Sequence, residues 1–278
     1  MARAFLLGKK RGERKNMAKR KKEIISGQLV EVVIYTAPEP RDNERTRAEK
    51  SRITSEAQKK LNRKTARRNC ERIIAANFKR KDLFVTLTFD DCHYPETRKA
   101  AEKEMRKFVR LLRGVRKGRG CKLRYIYTIE DLHGKGRIHI HSIINATGNH
   151  DFEDIRSLWN CGMNIDIKQL DVAAQALTES ETVKTKWHGA LAAYFTKEKK
   201  PVGARAWICS LNLKKPVVKT SFVRNSETIR IPKEAEVIER EEKQNEWGTF
   251  QYVKYWMPDK TRRRKSRKSK KEGQRNEN

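Results

Sequence analysis

A chain of 278 residues can bury one full domain with extensions, or two small ones, so a conventional core is within reach. Sixty-six Lys and Arg against 35 Asp and Glu leave a formal charge of +31, which would repel itself on an unpartnered surface and matches nucleic-acid phosphate. Cys70, Cys92, Cys121, Cys161 and Cys209 are odd in number, scattered and never in a C-x-x-C pair. They argue against a disulfide framework and a zinc ribbon, and with no signal-peptide core or membrane-length apolar run they predict a soluble cytoplasmic protein without a membrane partner.

In chain order, residues 1–27 are expected to be a basic flexible arm, its charge concentrated in 9–22. Residues 28–82 follow, with a strand at 28–35 ended by Pro38 and Pro40 and a basic helix from a cap at Thr54 or Ser55 to Asn77. Between 83 and 200 the periodicity sharpens. Phe84 to Phe89, F-V-T-L-T-F, alternates as a strand. Ala101, Met105, Phe108, Val109 and Leu112 mark an amphipathic helix. Residues 124–130 and 138–144 form a hairpin about the turn H-G-K-G, and 152–159 form a short helix closed by Gly162. A strand at 164–168 and a helix at 189–199 complete the block.

The order βαββαβ predicts an α+β, ferredoxin-like antiparallel sheet with the last helix across its open face. Alternation places Val85, Leu87, Phe89, Tyr125, Tyr127, Ile129, Ile138, Ile140, Ile144, Ile165 and Ile167 on one apolar face under the two helices. Thr86, Thr88, Thr128, Glu130, His139, His141, Asn164 and Asp166 fall on the other. Residues 201–258 read as a C-terminal extension with strands at 207–213, 221–231 and 249–256 and an acidic helix at 233–244. Residues 259–278 read as a basic disordered tail.

Chemistry is expected on the polar face. In His139-Ile140-His141 the period of two sets both imidazoles on one side, and Glu130 on the partner strand can complete a set of three donors. Two imidazoles and a carboxylate with open positions suit Mg²⁺ or Mn²⁺ acting on a phosphate oxygen. Taken alone, a His-x-His pair is more often a hydrogen-bonded surface pair, and zinc stays open but lacks cysteine support. Tyr194 and Lys197 share a helix face at i, i+3. A phenol is a weak nucleophile at neutral pH, and Lys197 can favour phenolate or protonate a leaving oxygen.

These three segments, F-V-T-L-T-F at 84–89, H-I-H at 139–141 after a Glu-bearing strand, and Y-F-T-K at 194–197, resemble in order and spacing the motifs of HUH endonucleases. They are most similar to the rolling-circle replication initiators (Rep proteins) of plasmids and phages. The resemblance covers 83–200, and Ser210-Leu-Asn-Leu-Lys-Lys-Pro216 is similar to a downstream feature of such members. It implies that His139, His141 and Glu130 hold the metal and that Tyr194 attacks single-stranded DNA at an origin with help from Lys197. The product is a 5′-phosphotyrosine and a free 3′-OH that primes a polymerase.

Thr86, Thr88, Arg137, Lys199 and Lys200 are the expected DNA contacts beside the motifs. No P-loop is present, so host helicase and polymerase are expected partners in a bacterial cell. A tyrosine placed after the histidines differs from conjugative relaxases. A transposase or relaxase with the same chemistry, and a nonenzymatic nucleic-acid binder, are the alternatives, the latter disfavoured by a sheet face lacking exposed aromatics. His93, His133 and His188 are expected to meet solvent or phosphate, and Trp207, Trp247, Tyr252, Tyr255 and Trp256 to stack on bases or pack in a core.

Overall fold

The structure is a computed structural model that describes residues 18–37, 56–131, 136–179, 186–198, 205–245 and 248–258. In chain order its elements are β1 (Ala18–Ser26), β2 (Leu29–Ala37), α1 (Glu56–Asn77), β3 (Leu83–Thr88), α2 (Arg98–Gly118), β4 (Tyr125–Glu130) and β5 (His139–Ile144). Then come α3 (Asp151–Leu158), β6 (Ile165–Gln169), α4 (Leu170–Glu179), α5 (Trp187–Phe195), β7 (Ile208–Cys209), β8 (Val217–Val223), β9 (Glu236–Asn245) and β10 (Gly248–Trp256). The chain divides into two compact units, one built around residues 52–217 and the other from segments on either side of them.

The larger unit carries a five-stranded sheet in the order β6-β3-β5-β4-β7. Its first four strands are the expected βαββαβ arrangement, and each neighbouring pair among the five is antiparallel. Local chemistry explains the elements. Thr97 caps α2 by accepting from the Ala100 amide at 3.2 Å. Asp151, Glu153 and Asp154 crowd the first turn of α3, where the helix dipole favours negative charge. Helix α3 ends at Leu158 with Trp159 as its C-cap, before the expected closure at Gly162, where a Cβ would come within 2.5 Å of the Thr88 carbonyl oxygen.

The predicted apolar face is the larger core. Val85, Leu87, Phe89, Tyr127, Ile129, Ile138, Ile140, Ile144 and Ile165 are buried with Met105, Phe108 and Leu112 of α2 and with Ile155 and Trp159, and Tyr125 and Ile167 pack at its margin. The opposite face is less open than its alternation suggested. Phe84, Ile126 and Ile143 occupy it too, and a second core forms there with Cys70 and Ile74 of α1, Leu170, Ala173 and Ala174 of α4, and Leu191, Ala192 and Phe195 of α5. The polar residues are thereby confined to one end of that face. Helix α4 was not anticipated, although Leu170, Ala173, Ala174 and Leu177 keep helical spacing.

The smaller unit is also a five-stranded sheet, in the order β8-β1-β2-β10-β9, with Val30, Val32, Val253 and Tyr255 in its core. Three expectations for the segments outside 83–200 are corrected. The basic arm is part strand: residues 18–26 form β1 between β8 and β2, because a ladder needs backbone partners rather than apolar side chains, while 1–17 lie outside the described residues. The acidic helix expected at 233–244 is β9, paired antiparallel with β10. Its Glu, Arg, Lys and Gln are good helix formers, yet cross-strand contacts such as Gln251 to Glu242 at 2.8 Å and Lys254 to Glu239 at 3.4 Å decide the outcome. Of the strands expected at 207–213 and 221–231, only Ile208–Cys209 and Val217–Val223 form. Residues 259–278 lie outside the described residues.

Candidate metal and tyrosine centre

Strand register builds the centre. Glu130 is the partner of His139, and His141 lies between Thr86 on one side and Thr128 on the other. The His139 and His141 ring centroids are 4.8 Å apart. Glu130 Oε2 stands 2.9 Å from His141 Nε2 and 3.5 Å from His139 Nε2. One ligand atom from each of the three residues lies within 4.8 Å of the others, which is the reach of a single cation.

The outer nitrogens are tethered as metal-binding imidazoles usually are. His139 Nδ1 is 2.9 Å from the Arg137 carbonyl oxygen, which can only accept, so Nδ1 carries the proton and Nε2 presents its lone pair. His141 Nδ1 is 3.1 Å from Thr86 Oγ1, which can accept in the same way. An Nε2 lone pair 2.9 Å from a carboxylate oxygen is repulsive unless a proton or a cation lies between them, so the donor set fits a cation.

Helix α5 delivers the phenol. Its apolar side, Leu191, Ala192 and Phe195, is buried in the second core, and the helix stops at Phe195 with Thr196 as C-cap. Tyr194 is thereby directed at the sheet, with its hydroxyl 2.9 Å from His141 Nε2. Phe84 holds both rings, stacked on His141 at 5.8 Å and edge-on to Tyr194 at 6.0 Å. Lys197 lies beyond the helix rather than on it, yet the turn returns its Nζ to 2.7 Å from Glu130 Oε1 and 4.0 Å from the centre of the Tyr194 ring.

The electrostatics follow from burial and pairing. Burial alone would raise the Glu130 carboxyl, but hydrogen bonds with His139, His141 and Lys197 outweigh it and hold the group well below the usual carboxylate range. Burial pushes His141 down against the pull of Glu130, whereas the Glu130 hydrogen bond pushes the more exposed His139 up. Burial, then the Glu130 charge, raises the Tyr194 phenol, with Lys197 opposing. For Lys197 burial lowers the ammonium, and its bond to Glu130 more than restores it.

The remaining expected contacts are committed elsewhere or lie outside the described residues. Thr88 Oγ1 donates to the Asn164 carbonyl at 2.5 Å. Arg137 bonds Asp91 at 2.7 Å and the Phe89 carbonyl at 3.0 Å, and lies over Tyr94. Lys199, Lys200, His133 and Trp247 fall in undescribed segments. His188 corrects the solvent expectation: it is fully buried, 3.0 Å from Glu71 across the α1 and α5 contact. His93 is exposed and bonded to Asp90. Tyr252 and Tyr255 are core residues and Trp207 packs at the margin of the second core.

Sequence reasoning missed a clasp around the centre. Glu198 accepts from the Asp131 amide at 3.2 Å, and Arg98 lies 3.7 Å from both carboxylates, tying the segments after Glu130 and Lys197 together. No periodicity links those positions.

Residues 82–199 match the family model of the ORF2-type replication-associated proteins. The match spans β3 to α5 with Tyr194 and Lys197, ties this segment to replication-associated proteins, and fits a rolling-circle initiator. Neither the curated proteins nor the solved structures give a match to the chain. Among the described residues no helix is long and apolar enough to cross a membrane.

Proposed function

We propose that this replication-associated chain initiates replication as a metal-dependent nickase acting on single-stranded DNA through Tyr194. The observation that carries the reading is convergence: a phenol and an ammonium from 194–197, two imidazoles from 139–141 and a carboxylate from the preceding strand meet within hydrogen-bonding distance. His139, His141 and Glu130 would hold Mg²⁺ or Mn²⁺, which when bound withdraws charge from the scissile phosphate.

Tyr194 Oη forms a bond to phosphorus as the bond from phosphorus to the 3′ oxygen breaks, leaving a 5′-phosphotyrosine. The phenol loses its proton to solvent as it attacks, and Lys197 supplies one to the departing 3′ oxygen and regains one from solvent, so charge and atoms balance. Phe84 and Thr86 keep the phenol and His141 in register, which converts binding into an oriented attack. Because the phosphotyrosine keeps the bond energy, a 3′-OH can reverse the step, and joining accompanies cutting.

The test is incubation with end-labelled single-stranded DNA and Mn²⁺, followed by denaturing electrophoresis and mass spectrometry. A protease-sensitive adduct on the peptide containing Tyr194, absent from Tyr194→Phe, is expected. An adduct on Tyr127, Tyr252 or Tyr255, or one that survives the substitution, would overturn the assignment.

A further inference from the structure

Helix α1 is half anchored and half free of the core. Its C-terminal part buries Cys70, Glu71, Ile74, Ala75 and Asn77, whereas residues 56–65 are all exposed. At about 100° per residue, Lys59, Lys60, Arg63, Lys64, Arg67 and Arg68 fall within one half of the helix circumference. Cys70, Glu71, Ile74 and Ala75 fall on that same half. The face that meets the second core therefore continues, toward the N-terminus, as a cationic face overhanging the protein. No aromatic side chain occurs anywhere in the helix.

The overhang has a direction. Trp207 Nε1 donates to the Ala66 carbonyl at 3.3 Å, the neighbouring Ala206 carbonyl accepts from Thr128 at 3.0 Å, and Thr128 is the strand partner of His141. At its other end, Asn77 exchanges hydrogen bonds with the backbone of Lys214, and the preceding Ser210 bonds Tyr125 at the start of β4, remote from Glu130. Beyond Ala66, then, α1 leaves the core at the end of the sheet that carries Glu130, His139 and His141.

We infer that the N-terminal half of α1 is a docking element for the phosphate backbone of duplex DNA flanking the strand held at the tyrosine centre. Six cations on one helical face and a rise of about 15 Å over ten residues suit the grooved phosphate surface of a duplex. Single strands are gripped by cations interleaved with aromatic stacking platforms, and this helix has none. The exposed half needs no core of its own, because it extends a helix already nucleated by the anchored half. The inference rests on the nickase reading only for what lies beside the duplex. Binding can be measured without cleavage, so either idea can fail alone.

The experiment titrates the full chain against fluorescent duplex and single-stranded DNA by anisotropy across a salt series. The variant K60Q/R63Q/K64Q/R67Q keeps good helix formers, and circular dichroism checks its fold. Loss of four phosphate contacts should lower the log–log salt slope for duplex by roughly 3 to 4 and weaken duplex binding more than single-strand binding. A charge-matched variant in α2, K103Q/R110Q/R113Q/K117Q, alters exposed cations of the helix packed on the opposite sheet face and should change the slope far less. An unchanged duplex slope in the α1 variant, an equal loss in the α2 variant, or an equal loss for single strands would each overturn the inference. Adduct formation by the unaltered chain is scored separately and bears only on nicking.

Discussion

Thr86→Val tests whether the centre is built to hold a cation. The substitution keeps the shape of the side chain but removes the oxygen 3.1 Å from His141 Nδ1. That bond fixes the ring's rotation and, with Oγ1 as acceptor, the tautomer that leaves Nε2 free to ligate. His141 is almost fully buried, so water cannot readily replace the lost partner. Removal of such an outer partner typically costs about 10- to 100-fold in metal affinity, or roughly 1.4 to 2.8 kcal/mol. Calorimetric titration with Mn²⁺ should show that loss in Thr86→Val and near-complete recovery in Thr86→Ser, which retains the hydroxyl. Equal Mn²⁺ affinity in the unaltered chain and the Val variant would refute the reasoning, because Thr86 would then not orient a ligand.

Chelation with EDTA should abolish the covalent adduct while leaving most DNA affinity in place, since phosphate contacts dominate binding; electrophoresis and anisotropy on the same samples separate the two. Lys197→Met keeps the length of the side chain but removes the proton donor 2.7 Å from Glu130, and single-turnover cleavage should slow by about 10²- to 10⁴-fold with little change in DNA affinity. Arg116, buried with Asp151 at 2.8 Å and with the Asn145 carbonyl at 2.7 Å, ties α2 to the end of β5 and the start of α3; Arg116→Met should cost about 3 to 5 kcal/mol in urea denaturation. Burial would raise Asp151, but the Thr147 and Gly148 donors and Arg116 hold it below the usual carboxylate range. Its contribution is therefore complete above about pH 4 and is lost as the pH falls through the depressed value, which acid titration of unfolding should show.

The parts of the centre legible in the sequence are those fixed by a local period. Alternation in 84–89, 125–130 and 139–144 put Thr86, Glu130, His139 and His141 on one face, and the structure places them there because a strand cannot present them otherwise. The same rule applied to Phe84, Ile126 and Ile143 reveals that this face is half apolar, and hence covered by α1, α4 and α5. Reading only its polar members made the sheet look open. The element types went wrong where propensity and pairing disagree. A run of Glu, Arg and Lys in β9 has helical composition, but the strand β10 that follows across residues 246–247 pairs with it along its length.

What no local pattern carries is convergence. Lys197 reaches Glu130 only because α5 ends at Phe195 and the following turn doubles back, and the helical i, i+3 geometry that first paired Lys197 with Tyr194 does not hold past the C-cap. The pairing survives for a different reason. Both side chains are drawn to the same buried carboxylate centre, Lys197 by charge and Tyr194 through His141. One negative group thus gathers two imidazoles, an ammonium and, through His141, a phenol at once. A cation bound by His139, His141 and Glu130 would offset that charge, which otherwise opposes ionisation of the phenol. On the proposed reading metal binding and nucleophile activation would be a single electrostatic event, so substitutions at Glu130 should disturb both together, whereas Tyr194→Phe should spare the metal.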